Sequence, residues 1–331
     1  MKKLKICLYN PISIVMEKML LFGLKAAGHA AEFRKGKINP DDYDAIIFFN
    51  TAFYSKNFFQ ILTAKTSTKK VFLDEIDDFF VRKIATHPEI DLYIKREYYT
   101  AAPSKNYIIN WTIRYAREML RPAGAPKDYY QWLYSKWNQP CGFSWQYARQ
   151  QSKTPFLPLS VSVPDPATHQ PAIIKPEEKF LSLSFIGHPN NPERRRYINY
   201  LNNNYEDYGF DNSYISTDIV SQKEYYDILS NSQAGLSLRG VGADTWRYWE
   251  IPSRKVALFS QRLPISINND FIDGESAVFF SSEEELKQKF SKYVLKSTEY
   301  IDIARNGHAH YKKYHTPLRR AQTLIDYIKR L

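Results

Sequence analysis

The chain has 331 residues, room for two domains of ordinary size, and its 44% hydrophobic and 24% charged content fits a globular chain and excludes a disordered or fibrous one. No window approaches the roughly 18 uninterrupted apolar residues of a membrane span, and the apolar run after the basic start is too short for a secretory leader, so a cytoplasmic protein is expected. Two cysteines, Cys7 and Cys141, supply neither a disulfide framework nor a metal set, and the net charge of +11 calls for an acidic partner.

In chain order, residues 5–9 read as a strand, and Asn10-Pro11 turns into a helix with Ser13 as N-cap and Met16, Met19, Leu20 and Leu24 at helical spacing, ending at Gly28. Strands follow at 30–34, 44–50, 70–74 and 91–95, with a helix near 55–64. Strands alternating with helices predict a parallel sheet covered on both faces, which binds ligands beyond the carboxyl ends of its strands. From 101 to 160 the alternation blurs into a helix around 107–119 and an aromatic run through Trp132, Trp137 and Trp145. Six prolines from Pro155 to Pro176 then mark an interdomain linker, with the boundary near residue 165.

The second half begins the alternation again. A strand at 180–186 ends in Gly187-His188-Pro189, and a helix with Arg194, Arg195 and Arg196 follows. A strand at 214–216 precedes the capping box Ser221-Gln-Lys-Glu224. Residues 233–239 form a buried strand, Gly240-Val-Gly242-Ala-Asp-Thr245 a glycine-bearing loop, residues 246 onward a helix carrying Arg247 and Glu250, and 256–259 the next strand. Strand, glycine loop, helix, strand is how an α/β protein presents backbone N–H groups and a helix N-terminus to a phosphate. A cation for phosphate and a carboxylate for sugar hydroxyls beside that loop suggest a nucleotide-sugar site. A strand at 277–280, a helix capped by Ser282 and Glu285, and a terminal helix opened by Thr316-Pro317 complete the elements. The expected domains are 1–165 and 166–315, with the helix at 316–331 free to pack back on the first. Each half is Rossmann-like, and a cleft between them is the natural place for a site.

These residues resemble a known family. Ser184-Phe-Ile-Gly187 with its nearby arginines, Leu236-Ser-Leu-Arg239 with Thr245-Trp-Arg247-Tyr-Trp-Glu250, Val256-Ala-Leu-Phe259 with its turn to Pro264, and Ile303-Ala-Arg-Asn-Gly307 through Tyr314-His315-Thr316 to Arg320-Ala321 are similar to the carboxy-terminal domain of GT-B glycosyltransferases. The nearest likeness is to the CgeB/YkvP-like "glycosyl transferases group 1" branch. In the first half, Phe72-Leu-Asp74-Glu-Ile-Asp77-Asp78 and the segment 91–97 are similar to the same branch. The chain departs from it at Pro252-Ser-Arg254-Lys255, where a small residue or a glycine pair is usual. The resemblance implies an α/β fold of two Rossmann-like domains facing each other across a cleft. It implies transfer of a sugar from a nucleotide-diphosphate donor, UDP ahead of GDP, to a hydroxyl of a glycan, lipid-linked or protein acceptor in surface polysaccharide or glycoconjugate assembly. No metal or other cofactor is expected, because basic side chains and helix N-termini neutralise the diphosphate.

By carry-over Glu250 binds the ribose, while Arg247 and Arg239 face the phosphates with Gly240, Gly242 and Thr245 beside them. Against this stands a plain Arg247–Glu250 surface ion pair of a few tenths of a kcal/mol. Gly187 and His188 could offer a backbone N–H and an imidazole to the donor, or simply make a turn; the arginine run at 194–196 reads as solvated charge. Asp74 and Asp77 are the candidates for general base, against a reading as helix-start charges. Lys95, Arg96 and Glu97 are a charged strand end open to cleft or surface duty. His308, His310 and His315 lack zinc spacing and read as surface or helix-end residues. Two other readings remain: a nucleotide- or sugar-binding protein without transfer activity, and a basic nucleic-acid-binding protein. The last is disfavoured because the basic residues are spread along the chain with no zinc-finger spacing, RNP-type motif or basic tail. An anionic membrane surface fits the charge as a peripheral partner.

Overall fold

The structure is a computed structural model, which describes residues 2–11, 15–75, 80–100, 140–143, 156–159, 173–203, 212–240 and 242–331. The expected helix at 107–119, the three tryptophans, Ser13, Asp77 and most of the proline-rich segment lie outside the described residues. The chain divides into two compact units. Met1–Val161, Pro264–Asn268 and Arg320–Leu331 form the first, and Ser162–Leu263 with Asn269–Arg319 the second.

In the first unit come β1 (Lys5–Tyr9), α1 (Met16–Ala26), β2 (Ala30–Arg34), β3 (Ala45–Phe49), α2 (Phe58–Leu62), β4 (Lys69–Asp74), β5 (Phe80–Arg82), β6 (Leu92–Lys95), β7 (Pro140–Phe143) and β8 (Phe156–Pro158). Six of the strands make one parallel sheet in the order β2-β1-β3-β4-β6-β8, and β5 and β7 pair antiparallel beside it. The continuous apolar run of β3 follows from burial on both sides. Ala45, Ile47 and Phe49 enter one core with Ile6, Leu8, Val71 and Leu73, while Ile46 and Phe48 enter another with Phe58, Ile61 and Phe72. Cys7 lies in that second core, where burial pushes its thiol up to about 12, so it is inert. At the end of α1, Gly28 takes φ 88°, a left-handed turn that glycine adopts without strain.

Two segments from late in the sequence belong to this unit. Ile265 bridges Tyr99 antiparallel, with the Ser266 N–H donating to Tyr98 O at 2.7 Å. The terminal helix, opened by Pro317 with Thr316 Oγ1 accepting the Arg319 N–H at 3.3 Å, inserts Ala321, Leu324, Ile325 and Ile328 into the β1–β3–β4 core.

The second unit holds β9 (Leu181–Ile186), α3 (Pro192–Asn203), β10 (Ser213–Ser216), α4 (Gln222–Ser230), β11 (Ser232–Ser237), α5 (Trp246–Ser253), β12 (Ala257–Gln261), β13 (Val278–Phe280), α6 (Glu283–Phe290) and α7 (Glu299–Tyr314); the terminal helix Pro317–Arg330 is α8. Its parallel sheet runs β10-β9-β11-β12-β13. The serine caps form as read: the Ser221 and Ser282 side chains accept the N–H groups of Glu224 and Glu285, while no return bond from either glutamate to the cap residue's N–H is made among the described residues. Helix α7 has no counterpart among the expected elements. Its mid-helix Gly307 lowers helix propensity but lets the helix close on a neighbouring loop, since a Cβ there would stand 2.6 Å from the Ser276 carbonyl. Among the described residues no helix is long and apolar enough to cross a membrane.

One buried lysine gives this unit a pH signature. Lys179 donates to Ser230 O at 2.7 Å, and burial, then the nearby Arg254 and Lys255, push its pKa down to about 7. The unfolded chain keeps an ordinary lysine near 10.5 and so binds more protons between pH 7 and 10.5, and stability rises with pH across that window. Wild type should therefore gain on Lys179→Met by about 2 kcal/mol between pH 7 and pH 9 in denaturant unfolding. A difference that stays constant over that range would show that Lys179 remains charged in the fold.

Candidate functional site

In a sheet of order β10-β9-β11-β12-β13, β9 and β11 send their connections in opposite directions, and open α/β sheets bind ligands beyond the carboxyl ends of such a pair. At that point stand Gly187 after β9 and the loop 238–245 after β11, which leads into α5.

Arg247, in the first turn of α5, reaches across to β9. Its guanidinium lies 5.5 Å from the centre of the Phe185 ring, a cation–π contact, and a Cβ on Gly187 would stand 2.8 Å from its Nη2. A side chain at 187 would have to displace the guanidinium. Arg247 Nε is buried without a hydrogen-bond partner, and among the described residues no carboxylate pairs with Arg247. The crevice behind it, between Ser184, Tyr225, Leu236 and Ile251, measures about 10 Å³, room for one water, so a ligand must lie on the solvent side of the arginine.

The surface ion pair that was the plain alternative is not made. Glu250 instead accepts from Tyr225 Oη at 2.7 Å and Tyr226 Oη at 3.1 Å, one tyrosine on each carboxylate oxygen. Burial pushes the Glu250 carboxyl above the usual carboxylate range, with Tyr225 and the charge of Arg247 holding it partly back. Burial and Glu250 push Tyr225 well above its ordinary value, so it stays a donor. Thr245 opens the helix, but its hydroxyl bonds Ser237 Oγ at 3.1 Å and makes no cap hydrogen bond. Asp244, 4% exposed, accepts from Trp249 Nε1 at 2.7 Å and fixes the helix entry. Pro252, the departure from the resembled pattern, falls in the last turn of α5, at the opposite end from Arg247.

Several expectations change. Arg239 does not face solvent as a phosphate cation: its Nε lies 2.5 Å from Glu193 Oε2, and Gln261 Nε2 donates to the other Glu193 oxygen at 2.6 Å. The Gly187 N–H is occupied by Ser216 O at 3.0 Å and that of Gly240 by Gly242 O at 3.0 Å, so the glycines give closeness rather than donors. His188 is exposed, and its carbonyl accepts from Arg194 Nη1 at 3.1 Å. Arg194 is not solvated charge. It is 4% exposed and lashes the loop, donating also to Arg239 O at 3.1 Å and Leu238 O at 2.7 Å. Asn191 joins it: its Oδ1 caps α3 by accepting the Arg194 N–H at 2.7 Å, and its Nδ2 donates to Arg239 O at 2.9 Å. Asn191, Arg194, Tyr225 and Tyr226 were missed as site residues. The signal for the first two was Asn191-Pro192, an N-cap and N1 pair that puts residue 194 at N3 facing the loop.

In the first unit Asp74 is fully buried. It accepts from Lys95 Nζ at 3.1 Å and from the Tyr93 hydroxyl, with Arg82 Nε at 3.9 Å. Burial pushes its carboxyl up, but Lys95 and Arg82 outweigh that and hold it below the usual range. A base must reach its proton and hold it near working pH. Asp74 does neither, and its part is structural. Lys95, Arg96 and Glu97 are buried too, so they are not solvated surface charges. In the second unit, His310 and His315 each bond Asn269 O, at 2.7 and 2.8 Å, and His308 bonds Pro252 O at 3.0 Å.

Residues 190–326 match the glycosyl transferase-like family. An alpha-glucosyltransferase in complex with UDP-glucose and DNA containing an abasic site is similar in structure with a TM-score of 0.55, at 8% identity, over 99% of this chain and 100% of that one. A glycosyltransferase from Rickettsia africae ESF-5 gives 0.54 at 9% identity, over 100% and 99%. Sucrose-phosphate synthase from Thermosynechococcus elongatus gives 0.53 at 9% identity, over 99% of each chain. The fold is that of the GT-B glycosyltransferases. No curated protein matches the sequence.

Proposed function

We propose that the protein is a glycosyltransferase that moves a sugar from a nucleotide-diphosphate donor to an acceptor hydroxyl, with the second unit holding the donor. The observation that carries this is Arg247, a half-buried guanidinium that makes no ion pair among the described residues, at the β9–β11 switch point. Holding a buried cation unpaired is costly, and an arriving diphosphate offsets that cost. As the sugar leaves, charge grows on the diphosphate, and a fixed donor aimed there contributes about 3 kcal/mol. Arg247 and the amino-terminal turn of α5 supply this without a metal. Glu250, its two oxygens already oriented by tyrosines, keeps lone pairs for the ribose hydroxyls. UDP is the preferred base, in keeping with the UDP-glucose held by the structural neighbour. The net charge of +11 supports cytoplasmic work against an anionic membrane surface, in the glycoconjugate or surface polysaccharide assembly expected of the CgeB/YkvP-like branch.

Calorimetric titration with UDP, GDP and CMP tests the reading. One of them should saturate the protein and raise its Tm by several degrees. Failure of both UDP and GDP to bind removes the basis for a diphosphate-donor site. Binding without release of nucleoside diphosphate from any sugar nucleotide, across a wide acceptor panel, would instead support a carrier without transfer activity.

A further inference from the structure

We infer that Arg194 is a positioning residue for the donor diphosphate, holding the 238–240 loop and the 187–188 turn at the spacing that leaves Arg247 open to an anion. This rests on the nucleotide-donor reading. The side chain spans the two loops that flank the switch point, binding His188 O on one side and Leu238 O and Arg239 O on the other. Three carbonyls in different directions match the planar fork of a guanidinium; an ammonium is a single point and cannot reach all three. Gly240 is the counterpart of this fit, because a Cβ there would stand 2.9 Å from Arg194 Nη2.

The same helix turn provides a second brace. Glu193 pairs with Arg239 and Gln261, while the Arg239 N–H donates to Gln261 Oε1 at 3.3 Å. The cation that would otherwise compete for a phosphate is thereby neutralised, and Arg247 is left as the charge facing outward. Arg194 has no carboxylate partner among the described residues, only carbonyl dipoles, so its charge adds to the positive field felt at the site. Burial and the charge of Arg247 together lower the Arg194 pKa to about 10, which leaves it ionised at neutral pH.

The test separates the diphosphate from the nucleoside. Calorimetry with UDP and uridine, or GDP and guanosine if that is the pair wild type accepts, is run on wild type, Arg194→Gln, Arg194→Lys and the exposed control Arg195→Gln. Arg194→Gln should weaken the nucleoside diphosphate about 30-fold and the nucleoside less than about threefold, with Arg194→Lys recovering part and Arg195→Gln unchanged. If Arg194→Gln does not fold, Gly240→Ala, which displaces the same guanidinium, should show the same selective loss. A lower Tm with both affinities unchanged, or equal losses for nucleotide and nucleoside, overturns the positioning role while leaving the donor reading intact. A wild type that binds neither UDP nor GDP brings down both.

Discussion

Arg247→Met should lose about 100-fold in affinity for the nucleoside diphosphate while the ligand-free protein keeps or gains stability. The two halves of this expectation share one cause. Methionine retains an apolar stem against Phe185 and Gly187, and no native ion pair is broken because Arg247 has none among the described residues. Its charge sits near that of Arg194, lowering the Arg194 pKa, so removing it relieves that repulsion and offsets the lost attraction to the Glu250 carboxyl. A residue whose deletion weakens binding yet does not harm the fold is one kept for function at a cost in stability. Isothermal titration and a thermal melt of the same preparation read both sides. Unchanged affinity would show that the diphosphate does not meet Arg247, and a large fall in Tm would show a structural partner for it.

Asp74→Asn is expected to do the reverse, costing about 3–5 kcal/mol of stability and little donor binding. The carboxylate is the buried counter-charge of Lys95, itself fully buried, with Arg82 close by. An amide keeps the shape but removes the buried charge that Lys95 faces at 3.1 Å. Because the folded-state pKa is depressed, the stability that Asp74 contributes is present above its unfolded value of 3.8 and lost as pH falls through the lower folded value. Denaturant unfolding of wild type and variant at pH 7 measures the cost. If Asp74→Asn were to unfold like wild type yet lose transfer, Asp74 would be the base after all.

Apart from β5, β7 and β8, which were not among the expected elements, the strands were legible, most clearly the central β3 and β4, which are covered on both faces and so appear as apolar runs between turn residues. Residues 5–9 and 30–34 coincide with β1 and β2. Helix α7 was not legible, since Gly307 and a polar outer face hide a contact stripe of Tyr300, Ile303, Ala304 and Tyr311. At the site, the block holding Arg247 and Glu250 could be read from its strand–loop–helix setting. The partners that decide what each side chain is free to do could not. Arg239 and Arg247 look equivalent in sequence, and only the position of Glu193, in the first turn of a helix well before Arg239 in the chain, separates a neutralised arginine from one with no ion pair among the described residues. The glycines were read as phosphate cradles, yet what fills the space at Gly187 and Gly240 is in each case a guanidinium from a distant segment. For Asp74 the strand-end position was right, but burial depends on Tyr93, Arg82 and Lys95, which no local pattern connects to it.

The place of α8 in the first unit has a consequence for how the protein is made. Ala321, Leu324, Ile325 and Ile328 belong to the same core as Ile6 and Ile47, and the Ile265 segment bridges Tyr99. Domains emerging from a ribosome ordinarily fold in order, amino-terminal first. Here the second unit can close before the first is complete, because the amino-terminal sheet waits for the last helix to cover it. During that interval β1, β3 and β4 expose an apolar face, and the nascent chain carries a window of aggregation risk spanning the synthesis of the entire second unit.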